Sequence, residues 1–177
     1  MERDGSSLMI DVRVPYCTDR NLGRAYNEII RTSTENWVLL LDHDVFLALN
    51  PRWYEICMNT IQQHNPALAS CWTWREGSAL SWIAYQESPV SKDLSEHVKT
   101  AQVLYEKHGM SVSPVEKVTG FFMLVNKDAW AAVGGFPAKG INNEDWEYCD
   151  KLNRAGHKIL RMDGLYVYHN KSRSWVN

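Results

Sequence analysis

The sequence predicts a layered α/β fold, and three observations carry that expectation. Short apolar stretches of strand length alternate along the chain with stretches whose apolar residues recur at helical spacing. The run "WVLLL", residues 37–41, is Val/Leu-rich without a break, as in a strand covered on both faces, which points to a mainly parallel sheet. Several helical stretches also carry their own punctuation, such as Asn21 ahead of one and Gly109 and Gly156 behind two others.

Taken in order, "LMIDVRVPY" (residues 8–16) alternates branched apolar with polar residues and stops at Pro15, so it reads as a first strand. "NLGRAYNEIIRTS" follows with Leu22, Ala25, Tyr26, Ile29 and Ile30 on one helical face and Asn21 as its N-cap. After the strand at 37–41, "NPRWYEICMNTIQQHNP" predicts a helix with Asn50 as cap, Pro51 in the first helical position and Pro66 closing the segment. "ALASCWTW" (67–74) is a strand, residues 76–89 read as a loop, and a helix spans 93–109. "VTGFFMLVN" (118–126) is a further strand, followed by a short helix over 127–133 and a Gly134-Gly135 turn. A helix over 144–156 precedes two short strands, "KILRM" and "LYVYHN". No repeat, low-complexity tract or linker interrupts this order, so one domain over residues 1–177 is expected.

The bulk chemistry narrows the function. A net charge of −2, with no basic block and no acidic tail, argues against nucleic acid or an anionic membrane surface as partner. No apolar run approaches the roughly 20 residues of a membrane-spanning helix. The charged start MERDGSSLMI lacks a signal peptide's apolar region. Cys17, Cys57, Cys71 and Cys149 form no CxxC pair, so they read as reduced, mostly buried residues of a cytoplasmic protein.

The chemistry concentrates where the strand at 37–41 runs into "DHD". Asp42 and Asp44 stand at i and i+2, so in an extended chain they project to the same side, beyond the carboxyl end of a strand where α/β sheets gather ligands. Two close carboxylates repel one another, and a cation would resolve that; capping the next helix in water is the other reading. Glu144 and Asp145 stand at the mouth of a helix, where acidic residues are stabilising in their own right. His169 ends the last apolar strand, as a ligand or as a packed or surface residue. Trp72, Trp74, Trp82 and Trp146 are candidates to stack on sugar faces, with core packing as the alternative.

Together these elements resemble the GT-A glycosyltransferases, specifically the family 2 type. "NLGRAYNEII" looks like the family's N-x-G helix, and "DHD" matches its D-x-D signature. "TGFFMLVNKDAWAAVGGF" is similar to its acceptor-side strand and G-G-F turn. "NEDWEYCDKLNRAGHKI" is similar to the helix carrying its catalytic carboxylate, and "YVYHN" sits where the family has its third metal ligand. The resemblance covers about residues 10–170.

One departure stands out. The family places a strand–helix–strand segment, with an aspartate that reads the base, before the N-x-G helix; here "VPYC" passes through "TDR" directly into "NLGRAYN". The resemblance therefore implies a GT-A fold whose N-terminal, nucleotide-binding half is truncated. It implies a metal-dependent transferase moving a sugar from a nucleotide diphosphate to a carbohydrate or other hydroxyl acceptor, with inversion. Asp42, Asp44 and His169 would hold Mn²⁺, or Mg²⁺ in its place. Asp145 would be the general base, with Glu144 as acceptor contact or alternative base. Pro15, Tyr16, Asp19, Arg20, Asn21, Arg24 and Asp42 would line the donor nucleotide. A non-catalytic nucleotide- or sugar-binding relic and a metal-dependent nucleotidyltransferase are the competing classes.

Overall fold

A computed structural model describes residues 9–78, 80–140 and 143–170; Leu8, where the first strand was expected to start, lies outside them. The elements are β1 (Ile10–Arg13), α1 (Leu22–Thr32), β2 (Trp37–Leu41), β3 (Val45–Phe46), α2 (Trp53–His64), β4 (Leu68–Trp74) and β5 (Ala84–Tyr85). They continue with α3 (Leu94–His108), β6 (Val112–Pro114), β7 (Phe122–Asn126), α4 (Lys127–Ala132), α5 (Glu144–Arg154) and β8 (Ile159–His169). The sheet runs β1-β2-β7-β4-β8-β3, with β5 on β4 and β6 on β8.

The α/β class is as expected, but the sheet is mixed rather than mainly parallel. β1 with β2 and β4 with β8 pair in parallel, while β7 lies antiparallel between β2 and β4. That reversal has a local consequence. β7 starts where β2 ends, with Phe122 opposite Leu41, so the residues just before β7 arrive beside Asp42. The carboxyl ends of β1, β2, β4 and β8 share one edge of the sheet, and the candidate residues gather there.

Burial explains the strand composition. All five residues of β2 and of β7 are buried, so apolar runs replace alternation, unbroken in β2 and continuous up to Asn126 in β7. β8 parts its side chains between two cores: Leu165 and Val167 join the main one with α1, α2 and α5, whereas Tyr166 and Tyr168 join Trp74, Ala101 and Leu104 under α3.

Two expected boundaries move. α2 begins at Trp53, not Pro51; Asn50 stands ahead of it, its Oδ1 accepting from the Arg52 amide and its Nδ2 donating to the Gly164 carbonyl at 3.2 Å. The two short C-terminal strands are one strand. Pairing with β4 jumps from Cys71↔Met162 to Trp72↔Tyr166, and the extra residues are absorbed at Gly164, where an added Cβ would lie 2.0 Å from the Gly109 carbonyl oxygen. β3, β5 and β6 are two or three residues long, too short for any periodicity to reveal.

Candidate metal centre and active site

Asp42 is the first residue past β2; its amide donates to the Phe121 carbonyl at 3.1 Å, carrying the β2–β7 ladder one step further. The chain then turns, with the Val45 amide on the Asp42 carbonyl, and Val45 pairs with His169 as β3 meets β8. This hairpin-like return swings Asp44 under the imidazole. Asp42, Asp44 and His169 each offer a ligand atom, all within 4.8 Å of one another. Nε2 of His169 lies 3.3 Å from Asp42 Oδ2 and 3.2 Å from Asp44 Oδ1.

The other ring nitrogen decides the chemistry. Nδ1 of His169 stands 2.8 Å from the Gly77 carbonyl oxygen, which can only accept, so Nδ1 carries the hydrogen. Nε2 then faces two carboxylates with its lone pair, an arrangement that asks for a proton or a cation. Burial pulls the His169 pKa down, but Asp42, the Gly77 carbonyl and Asp44 together lift it above the ordinary value. Two carboxylates and an oriented imidazole also form a fitting donor set for Mn²⁺ or Mg²⁺. The residue is held on further sides: Trp74 Nε1 donates to the His169 main-chain carbonyl at 2.6 Å, and the Phe121 ring stacks on the imidazole at 5.5 Å. Gly77 must be glycine, since an added Cβ would lie 2.5 Å from the Trp74 ring.

Asp145, in the first turn of α5, takes a different environment. Its Oδ2 accepts from the Gly120 amide at 2.9 Å and its Oδ1 from the Trp146 amide at 2.8 Å. Burial pushes its pKa up to about 6; the Trp146 and Gly120 amides pull downward and neighbouring Glu144 pushes upward. Glu144 is itself buried. Tyr26 sits fully buried beside this group, its phenol raised well above normal by burial and then by the charges of Asp42, Glu144 and Asp145. The two clusters meet through one dipeptide: Gly120 binds Asp145 with its N–H, while Phe121 binds Asp42 with its carbonyl and His169 with its ring.

The nucleotide candidates divide. Pro15 and Tyr16 leave β1 at the same sheet edge as Asp42, since Arg13 pairs with Leu40, and Tyr16 is 83% exposed. Arg20 is exposed and holds a left-handed backbone, φ 55°. Asp19 and Arg24 pair with one another at 2.9 Å. Asn21 caps α1 as expected, accepting from the Arg24 amide, and its Nδ2 reaches the Ala138 carbonyl. Gly23 and Asn27 engage the same segment. A Cβ on Gly23 would lie 1.9 Å from the Pro137 carbonyl oxygen, and Asn27 exchanges 2.8 Å bonds with Phe136 while accepting from Trp130 Nε1. Asn21, Gly23 and Asn27 of "NLGRAYN" together clamp residues 136–138, at and just after the G-G-F turn. Among the tryptophans, Trp74 is core, Trp72 lies 3.6 Å beneath the Arg161 guanidinium, Trp146 is half-buried and Trp82 is exposed.

Sequence reasoning missed the supports: Gly77 and Trp74 behind His169, Gly120 beside Asp145, and Tyr26 between the clusters. "GFF" was the visible trace of one of them. A cavity of about 510 Å³ opens elsewhere, at the amino end of β4 between Asn36, Asn65, Asn126 and His157, and none of the candidate residues lines it.

The chain belongs to glycosyl transferase family 2, whose sequence model matches residues 7–121. The match takes in Asp42, Asp44 and the Gly120-Phe121 dipeptide, and stops short of Asp145 and His169. A search of curated proteins finds no match. No helix among the described residues is long and apolar enough to cross a membrane.

Proposed function

We propose that the chain moves a sugar from a nucleotide-diphosphate donor to an acceptor hydroxyl, with a divalent cation, Mn²⁺ or Mg²⁺, held by Asp42, Asp44 and His169. The carrying observation is the convergence of two carboxylates on an Nε2 whose ring is fixed by the Gly77 carbonyl and the stacked Phe121 ring. When bound, the cation would neutralise the departing diphosphate as a Lewis acid. Asp145 accepts the acceptor hydroxyl's proton at Oδ1 or Oδ2, and a pKa of about 6 leaves it mostly ionised at neutral pH yet basic enough to work. One displacement with a single base inverts the anomeric centre. Glu144 contacts the acceptor or shares the base role. Tyr16, exposed just past the end of β1, and the exposed Arg20 meet the nucleotide and its phosphates, with Pro15, Asp19, Asn21 and Arg24 completing the donor contacts. Four free cysteines, three of them buried, support a reducing, cytoplasmic setting for this one-domain chain.

A thermal-shift panel of nucleoside diphosphates with and without Mn²⁺ tests this reading. Ligands that bind only the native state raise its stability, so UDP or GDP should stabilise the protein when Mn²⁺ is present and much less without it. No metal-dependent stabilisation by any nucleotide would refute it.

A further inference from the structure

Trp82 is the only tryptophan among the described residues that is exposed, at 39%. It is also held. Its indole Nε1 donates to the Lys117 carbonyl at 2.9 Å, and its own carbonyl accepts from Arg161. Arg161 is in turn fixed by Asp163 at 2.7 Å and by the Trp72 ring. A large apolar ring left in solvent and anchored through both its indole and its backbone is preorganised for something that covers it.

Its location narrows what that is. Lys117 lies 5.8 Å over the Trp146 ring and pairs with Asp150 at 3.1 Å. Trp146 immediately follows Asp145, and Gly120, three residues beyond Lys117, binds the Asp145 carboxylate. Three residues span at most about 10 Å, so the Trp82 indole and the proposed base lie within reach of one mono- or disaccharide. An indole under the half-exposed Lys117–Asp150 pair and a second, exposed indole anchored on the Lys117 carbonyl match a pyranose, whose C–H face stacks on an aromatic ring while its rim hydroxyls take charged hydrogen-bond partners.

We infer that Trp82, with Trp146, Lys117 and Asp150, forms the acceptor subsite and that the acceptor is a carbohydrate. This rests on the transferase reading above. The test is a printed array of oligosaccharides, probed with the wild type, W82L and W82F in the presence of Mn²⁺ and UDP or GDP. A parallel calorimetric titration of the nucleotide reports on each protein's fold and donor site. The wild type should bind a group of glycans sharing a terminal sugar. W82L should lose roughly three- to tenfold of that binding, the range of one aromatic contact, whereas W82F keeps most of it and all three bind nucleotide alike. Equal glycan binding by W82L overturns the inference. So does a wild type that takes up nucleotide and no glycan, a result that leaves the transferase reading standing. Absence of nucleotide binding in the wild type refutes the transferase reading instead.

Discussion

The chain carries two acidic groups joined through the Gly120-Phe121 dipeptide, and the atoms that surround them differ. At the end of β2, Asp42 and Asp44 converge on a single imidazole nitrogen, 3.3 and 3.2 Å away, whose other ring nitrogen is held by the Gly77 carbonyl. At the start of α5, Asp145 is paired with two backbone amides and raised to about 6 by burial. The first group gathers acceptors around a point, which is what a cation needs. The second buries a carboxylate on two backbone amides beside Glu144 and raises its pKa, which is what a proton acceptor working near neutral pH needs. The difference teaches that carboxylate count says little; the partner atoms around each carboxylate assign its task.

The comparison can be broken from either side. The largest effect is expected at Asp145. Asp145→Asn keeps shape and hydrogen bonding but cannot take a proton, so transfer from a radiolabelled UDP- or GDP-sugar should fall ~10²- to 10⁴-fold. Glu144→Gln, the paired control, should fall far less; equal losses would mean the two carboxylates share the base role, and no loss in either would make the pair structural.

His169→Ala comes next, because it would delete one of the three proposed ligands and leave two. Metal affinity should drop by at least the ~10- to 100-fold seen for losses in supporting shells, and more for Mn²⁺ than Mg²⁺, since imidazole is the softer donor. Calorimetry with each ion measures it; equal loss with both would make the histidine structural.

The pH profile should show a smaller, graded effect. Asp145 works in its ionised form, so at saturating Mn²⁺ the kcat/KM should rise with pH through about 6 and then level off, falling about tenfold per unit below. An acidic limb near 4 would contradict the raised pKa.

How much of this could be read from residues alone follows from what each feature depends on. β2, α1 and α3 were legible because each is a local pattern: an unbroken apolar run, an Asn21 cap, a Gly109 stop. The direction of β7 was not, because antiparallel insertion between β2 and β4 depends on how the chain crosses over, and Phe122–Asn126 would be equally apolar either way. In the site, Asp42, Asp44, Asp145 and His169 announced themselves by residue type. Their supports did not. Gly77 acts through its carbonyl and Gly120 through its amide, groups every residue has. Asn21 shows its helix-capping role in the sequence, but its second bond, to the Ala138 carbonyl, and the contacts of Gly23 and Asn27 with Pro137 and Phe136 depend on the tertiary fold.

The central claim is that one acidic group holds a metal and the other a proton. Titrating Mn²⁺ with UDP or GDP into Asp44→Ala and Asp145→Asn side by side tests it most directly. Asp44→Ala should lose metal-dependent nucleotide binding while staying folded, since removing one of two close carboxylates relieves repulsion. Asp145→Asn should bind as tightly as the wild type. Unchanged affinity in Asp44→Ala, or a matching loss in both variants, would contradict the division of labour between the two groups.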